Sequence, residues 1–224
     1  VRIKFSKLDS AKFIGHLDLL RYFQKAFRRA KLDLTYSQGF NPRPLTTFAA
    51  PLGVGLTSEA EYIDVTLNSS DEPKVMIQKI HEAMANNIVV TGFSFLPDDS
   101  KNAMASVAGA DYFISLKDGY DFLSIDEFQD KFRDFYNQDN IKIIKKTKKS
   151  SREIDLKPLI YNFRFPNQND ELGIYIQLAT GSVNNIKPEL VMKTFCKFAD
   201  YDYNEFAFQT HRLEIYANIG DDSN

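Results

Sequence analysis

The chain has 224 residues, 43% apolar and 26% charged, enough for one large soluble domain or two of about 110 residues each. It has no run approaching the ~18 consecutive apolar residues of a membrane span, and its single cysteine, Cys196, excludes an internal disulfide or a multi-cysteine metal or iron–sulfur site. The net charge of −2 is unevenly spread: residues 1–50 carry ten Lys/Arg against three Asp/Glu, a balance of +7, and the other 174 carry 18 against 27, a balance of −9. These features predict a cytoplasmic protein with a local cationic footprint and no membrane partner.

Val1-Arg2-Ile3-Lys4-Phe5 alternates like a strand through Leu8 and lacks the apolar core of a signal peptide. Gly15 and His16 precede a helix over 17–32, with Leu20, Phe23, Phe27 and Ala30 on one face. Residues 45–52 read as extended, ahead of a Gly53-Val54-Gly55 turn. Glu61–Leu67 alternates as a strand, Asp71 and Pro73 open a helix through Ala85 with Val75, Ile77, Ile80 and Met84 apolar, and Ile88–Leu96 closes the half as a strand. Small and polar residues over 98–110 make that segment the linker.

The order then repeats: a strand at Tyr112–Leu116, and a helix at Ile125–Tyr136 capped by Ser124 with Phe128, Phe132 and Phe135 inward. Strands follow at Ile141–Thr147, Ile154–Phe165 and Leu172–Thr180, then a helix at Pro188–Ala199 and a last strand at Phe206–Tyr216. The expectation is an α+β chain of two tandem ferredoxin-like (βαββαβ) modules with antiparallel sheets, at 1–97 and 111–217, and a disordered tail at 218–224. Cys196, among Val191, Phe195 and Phe198, reads as a buried, inert thiol.

Three segments carry the candidate chemistry. Arg21, Lys25, Arg28 and Arg29 form a cationic stripe on the first helix, with only Asp18 and Asp33 to neutralise it. In the following stretch, Tyr36-Ser37-Gln38-Gly39-Phe40-Asn41-Pro42-Arg43-Pro44, two prolines fix φ and remove donors, while Gly39 permits a positive φ. A preformed loop offering Tyr36, Phe40, Asn41 and Arg43 suits unstacked bases and phosphates, as in single-strand binders. Alternatively, the two rings pin the loop to the sheet. Between Ile141 and Lys157, Lys142, Lys145, Lys146, Lys148, Lys149, Arg152 and Lys157 face only Glu153 and Asp155. This is either a phosphate-gripping tip or a solvated hairpin end. His16, two residues from Asp18, is a weak general-base candidate, because a helix N-terminus disfavours its protonated form. Neither a metal site nor a cofactor motif can be assembled.

Phe13-Ile14-Gly15-His16-Leu17-Asp18 with Arg21 and Arg28-Arg29-Ala30, then Tyr36–Pro42, Phe48, Pro51-Leu52 and Ser58–Tyr62, resembles the bacterial radical SAM-linked protein family. Thr147-Lys148-Lys149, Glu153–Leu159, Gly181-Ser182-Val183 and Lys187-Pro188 extend the resemblance into the second half, although Ser150 stands where a glycine is expected. The resemblance implies a domain of unknown function, fused to or encoded beside a radical SAM protein and often near ribonuclease and ribosomal-protein genes. With one cysteine the chain would be the partner of such an enzyme rather than its catalyst. The expected function is a non-catalytic RNA- or anion-binding accessory subunit, its RNA being tRNA or rRNA. Two alternatives stand beside it. One is a metal-free endoribonuclease using His16, similar to CRISPR repeat-processing enzymes but without their C-terminal glycine-rich loop; the other is a pure protein–protein adaptor. The sequence sets no oligomeric state.

Overall fold

Alternating apolar residues at the start of the chain become strand β1 (Arg2–Lys7), followed by a 3₁₀ turn at Asp9–Phe13, α1 (His16–Arg29), β2 (Thr46–Phe48), β3 (Thr57–Val65), α2 (Pro73–Glu82), β4 (Ile88–Ser94) and α3 (Ala103–Ser106). The computed structural model describes residues 1–120, 123–146, 151–166, 172–182 and 184–218. The protein is mixed α+β, and every strand pairing detailed below is antiparallel. Among the described residues no helix is long and apolar enough to cross a membrane.

Two compact units divide the chain, one of 1–108 with the end of the chain from Arg212, the other of 109–211. In the first, β1 pairs with both β3 and β4, so that Ile3 stands opposite Ile63 on one side and Phe93 on the other. β2 adds to β3 with Phe48 opposite Ile63. Phe5, Phe23 and Phe48 close the core, with ring centroids 4.6 Å (Phe5–Phe23) and 5.7 Å (Phe23–Phe48) apart. Each such buried ring contributes about 1.5–3 kcal/mol of transfer free energy.

The inner face of α1 is Leu19, Phe23, Ala26 and Phe27. The expected set was shifted: Leu20 is only half-buried, and Ala30 is the C-cap. Both spacings are helical, and a leucine on either side of the stripe satisfies the pattern equally. In α2, Pro73 takes the first turn as expected, but only Met76 and Ile80 are buried and Val75 is exposed. The segment 98–110, read as a linker, contains α3, with Asn102 accepting from Ala105 N at 2.9 Å, and the start of β5.

The second unit contains β5 (Val107–Leu116, from Gly109), α4 (Ile125–Asn137), β6 (Lys142–Lys146), β7 (Ser151–Asp155), β8 (Ile160–Arg164), β9 (Gly173–Ala179) and α5 (Pro188–Phe198). β9 pairs with β5 and β8. Ser124 and Glu127 form a reciprocal capping box at the start of α4. The expected inward trio of Phe128, Phe132 and Phe135 packs on Phe195 of α5, with centroids 5.2–5.8 Å apart. Cys196 is buried there, and burial pushes its thiol up to about 11. That suits the inert role read from its neighbours.

The expected strands at Ile141–Thr147 and Ile154–Phe165 are arranged differently. Among the described residues β6 pairs only with β7, in a separate two-stranded ribbon, and a 3₁₀ turn at Lys157–Leu159 separates β7 from β8. Pro158 in that turn has no N–H to give a ladder and a fixed φ, so one continuous arm cannot run through it.

The last strand, β10 (Phe208–Ala217), starts in the second unit and ends in the first. Its first-unit part carries Arg212, whose Nε lies 3.0 Å from Glu61 Oε1, both side chains being almost wholly buried. The geometry is an offset ion pair rather than a linear hydrogen bond. Lys7, fully buried, donates to Ile14 O at 2.9 Å. Burial drives the Glu61 carboxyl upward against the pull of Arg212, Ser58 and Lys7, and drives the Lys7 ammonium downward. Two residues on, Glu214 accepts from Lys4 Nζ and Tyr62 Oη, each at 2.6 Å.

Candidate nucleic-acid interface

Burial of Leu19, Phe23, Ala26 and Phe27 turns the opposite face of α1 to solvent, and Arg21, Lys25 and Arg28 lie on it, within about 60° of arc at 3.6 residues per turn. Arg21 pairs with Asp18 at 3.0 Å, but both side chains are about 70% exposed, and such a pair contributes less than about 1 kcal/mol. Arg28 Nε donates to Gln24 O at 3.2 Å and Arg29 Nη2 to Ala83 O at 2.6 Å. Among the described residues no carboxylate pairs with Lys25, Arg28, Arg29 or Arg43. Three of the four stripe residues therefore share one exposed face, while Arg29 turns toward the end of α2.

The Tyr36–Pro44 segment is a closed hairpin tip. Tyr36 bridges Pro44, Ser37 N donates to Arg43 O at 2.9 Å, Leu45 N to Thr35 O at 2.9 Å, and Arg43 N to Ser37 Oγ at 3.1 Å. Gly39 adopts φ 112° at the turn, a backbone that an L side chain rarely adopts. Phe40 beside it is 106% exposed and Tyr36 40%; Asn41 and Arg43 are also exposed. The alternative, in which both rings pin the loop, is wrong for Phe40, which covers nothing. Backbone bonds and prolines hold the tip instead. Tip and stripe both belong to the first unit.

In the second unit, Lys145 lies directly across the ribbon from Arg152, and Lys142 across from Asp155. Like charges in a cross-strand pair repel; Lys145 Nζ turns to Asn185 O at 2.8 Å. Lys142 pairs loosely with Glu153 at 3.2 Å. Lys146 is the last residue of β6; Lys148 and Lys149, named as site residues from the sequence, lie outside the described residues.

His16 opens α1 with its ring edge-on to Phe48, centroids 5.2 Å apart, and burial lowers its pKa. Asp18, the expected carboxylate neighbour, holds Arg21 instead. Among the described residues no group of three or more His, Cys, Asp or Glu could hold a metal ion. Sequence reading missed the buried Lys7, Glu61 and Arg212, because a charged residue in an alternating strand reads as solvent-facing.

A family model described as an uncharacterized protein conserved in bacteria (DUF2344) matches residues 1–188. The chain belongs to this family. No curated protein matches it. Among solved structures, a chain in the crystal structure of a Cbf5-Nop10-Gar1 complex is similar, with TM-score 0.50 and 8% identity, covering 96% of this chain and 48% of that one. A chain of the archaeal box H/ACA sRNP Nop10-Cbf5 complex matches with TM-score 0.38 and 6% identity, over 93% of this chain and 46% of that one. The chain thus spans about half the length of either. At such identity the first likeness establishes fold alone.

Proposed function

We propose that this chain is a non-catalytic RNA-binding accessory subunit, which grips single-stranded or unpaired RNA with the outer face of α1 and the Tyr36–Arg43 tip. One observation carries the proposal: a fully exposed phenylalanine on a backbone-locked tip, in the same unit as cations without carboxylate partners. Phosphates meet Arg21, Lys25, Arg28 and Arg43, an unstacked base meets the Phe40 ring, and Asn41 offers an amide edge to it. The Lys145–Arg152 cross-strand pair, with Lys146, Lys148 and Lys149, is a second anion-binding element. Each half is proposed as a ferredoxin-like module, the second interrupted by the β6–β7 ribbon. The resemblance to radical SAM-linked proteins supplies the proposed partner, a cytoplasmic radical SAM protein acting on RNA or ribosomes.

Filter binding of single-stranded RNA, tRNA or rRNA fragments across a salt series tests this. Each phosphate contact adds about 0.7 to the salt slope. The Arg21/Lys25/Arg28 triple alanine variant should therefore lose about 2 from the slope, roughly an 18-fold difference between 50 and 200 mM salt. Equal slopes for variant and wild type would sink the proposal.

A second reading, a protein-docking adaptor, is favoured by Phe13, Leu17 and Val54, all more than 60% exposed. The 3₁₀ turn bearing Phe13, just before the α1 residue Leu17, is joined to the loop bearing Val54 by Gly55 N donating to Lys12 O at 2.8 Å. Co-purification of a protein partner in high salt, free of RNA, separates this reading from the first.

A further inference from the structure

Between the last turn of α1 and the C-terminal end of α2 lies a groove of about 760 Å³, lined by Tyr22, Arg29, Lys31, Lys79, Glu82 and Met84 among others. Three of these are cations and one is a carboxylate. We propose that this groove is a phosphate-binding site. The inference rests on the RNA-binding function above and extends it: one phosphate of the bound strand sits here.

The decisive residue is Lys31, which adopts φ 55°. α1 ends in a Schellman motif. Ala30 is the C-cap, Lys31 N donates to Arg28 O and Leu32 N to Phe27 O, each at 3.1 Å. The left-handed position of that motif normally belongs to glycine, because a Cβ there crowds the following carbonyl. A lysine held in this backbone is local strain, and such strain gathers where a side chain is needed for function. Compensating the helix dipole does not call for it, since Arg28 and Arg29 already stand in the last turn.

The neighbours are arranged as donors. Arg29 Nη2 is fixed on Ala83 O at 2.6 Å, leaving other N–H groups of its fork for a ligand. The Tyr22 hydroxyl accepts from Ala85 N at 2.5 Å, so its own proton is available to donate. Lys79 pairs with Asp71, which is outside the groove lining. Glu82, the one acid in the groove lining, accepts from Gln78 Nε2 at 3.0 Å. The set suits a tetrahedral anion with several acceptor oxygens.

Lys31→Gly in the full chain separates ligand binding from folding. Relieving the left-handed lysine should raise the thermal midpoint. Losing one phosphate contact should weaken single-stranded RNA binding about fivefold at 0.1 M salt and lower the salt slope by about 0.7. A lowered midpoint, or unchanged affinity while the Arg21/Lys25/Arg28 variant binds weakly, overturns the groove and leaves RNA binding by α1 standing. If wild type binds no RNA, the α1 and tip function fails, and inorganic phosphate and a nucleoside 5′-monophosphate become the probes. Binding of either that Lys31→Gly abolishes supports the groove with a small ligand; binding of neither overturns it.

Discussion

Arg212→Ala will destabilise the protein by about 3–5 kcal/mol, because it strips the ion-pair partner from a carboxylate that water cannot reach. At about 2–4 °C per kcal/mol for a chain of this size, the thermal midpoint should fall by roughly 6–20 °C. Glu61 would then be buried with Ser58 and Lys7 as its remaining favourable neighbours. The deficit should depend on pH with a definite sign. A carboxyl raised in the folded state binds its proton there while the unfolded chain has released it. Stability is thus retained below the ordinary carboxylate value and lost as pH rises through the folded one. The Arg212→Ala variant should be closer to wild type at pH 5 than at pH 8, and Glu61→Gln added to it should flatten that dependence. A midpoint within about 2 °C of wild type would show that the pair contributes little. The same interaction makes residues 1–108 a poor candidate for independent folding, since Arg212 and Glu214 both come from the end of the chain.

Phe40→Ala should do the reverse, leaving stability within about 0.5 kcal/mol of wild type, since an exposed ring away from special features packs on nothing. Single-stranded RNA affinity should fall by the value of one stacked base, about 1–3 kcal/mol, or roughly fivefold to 150-fold. The two effects dissociate because Ser37, Arg43, Tyr36 and Pro44 hold the tip without the ring. A variant that unfolds but still binds RNA would place Phe40 among structural residues. Unchanged stability with unchanged affinity would remove stacking from the proposed function while leaving the salt-dependent part to be judged by the α1 variants.

Local signals in the sequence translated well into structure. Ser124 marked the start of α4, where the structure adds Glu127 to complete a capping box within four residues, and Pro73 marked α2 for the same reason of locality. The proline-bound tip was legible as a preformed loop, and the exposed cations of α1, of which only Arg21 meets a carboxylate among the described residues, followed from the scarcity of nearby acids. What escaped notice depends on partners distant in sequence. Glu61 meets Arg212 across 151 positions, and nothing in either segment marks its charge as buried. The ribbon was read as part of the main sheet, because strand pattern reports exposure rather than pairing partner. Lys31 gave no signal at all: it fell inside the helix expected over 17–32, and only the backbone reveals that α1 ends at Arg29 and that Lys31 occupies a glycine's position.

Ultraviolet cross-linking of the full chain to single-stranded RNA, with mass mapping of the joined peptides, tests the central claim most directly. Cross-links should fall on Tyr36 and Phe40 and disappear as salt rises. Adducts mapping only beyond residues 16–45, or yields indifferent to salt, would contradict recognition of RNA by the tip and the cationic face of α1.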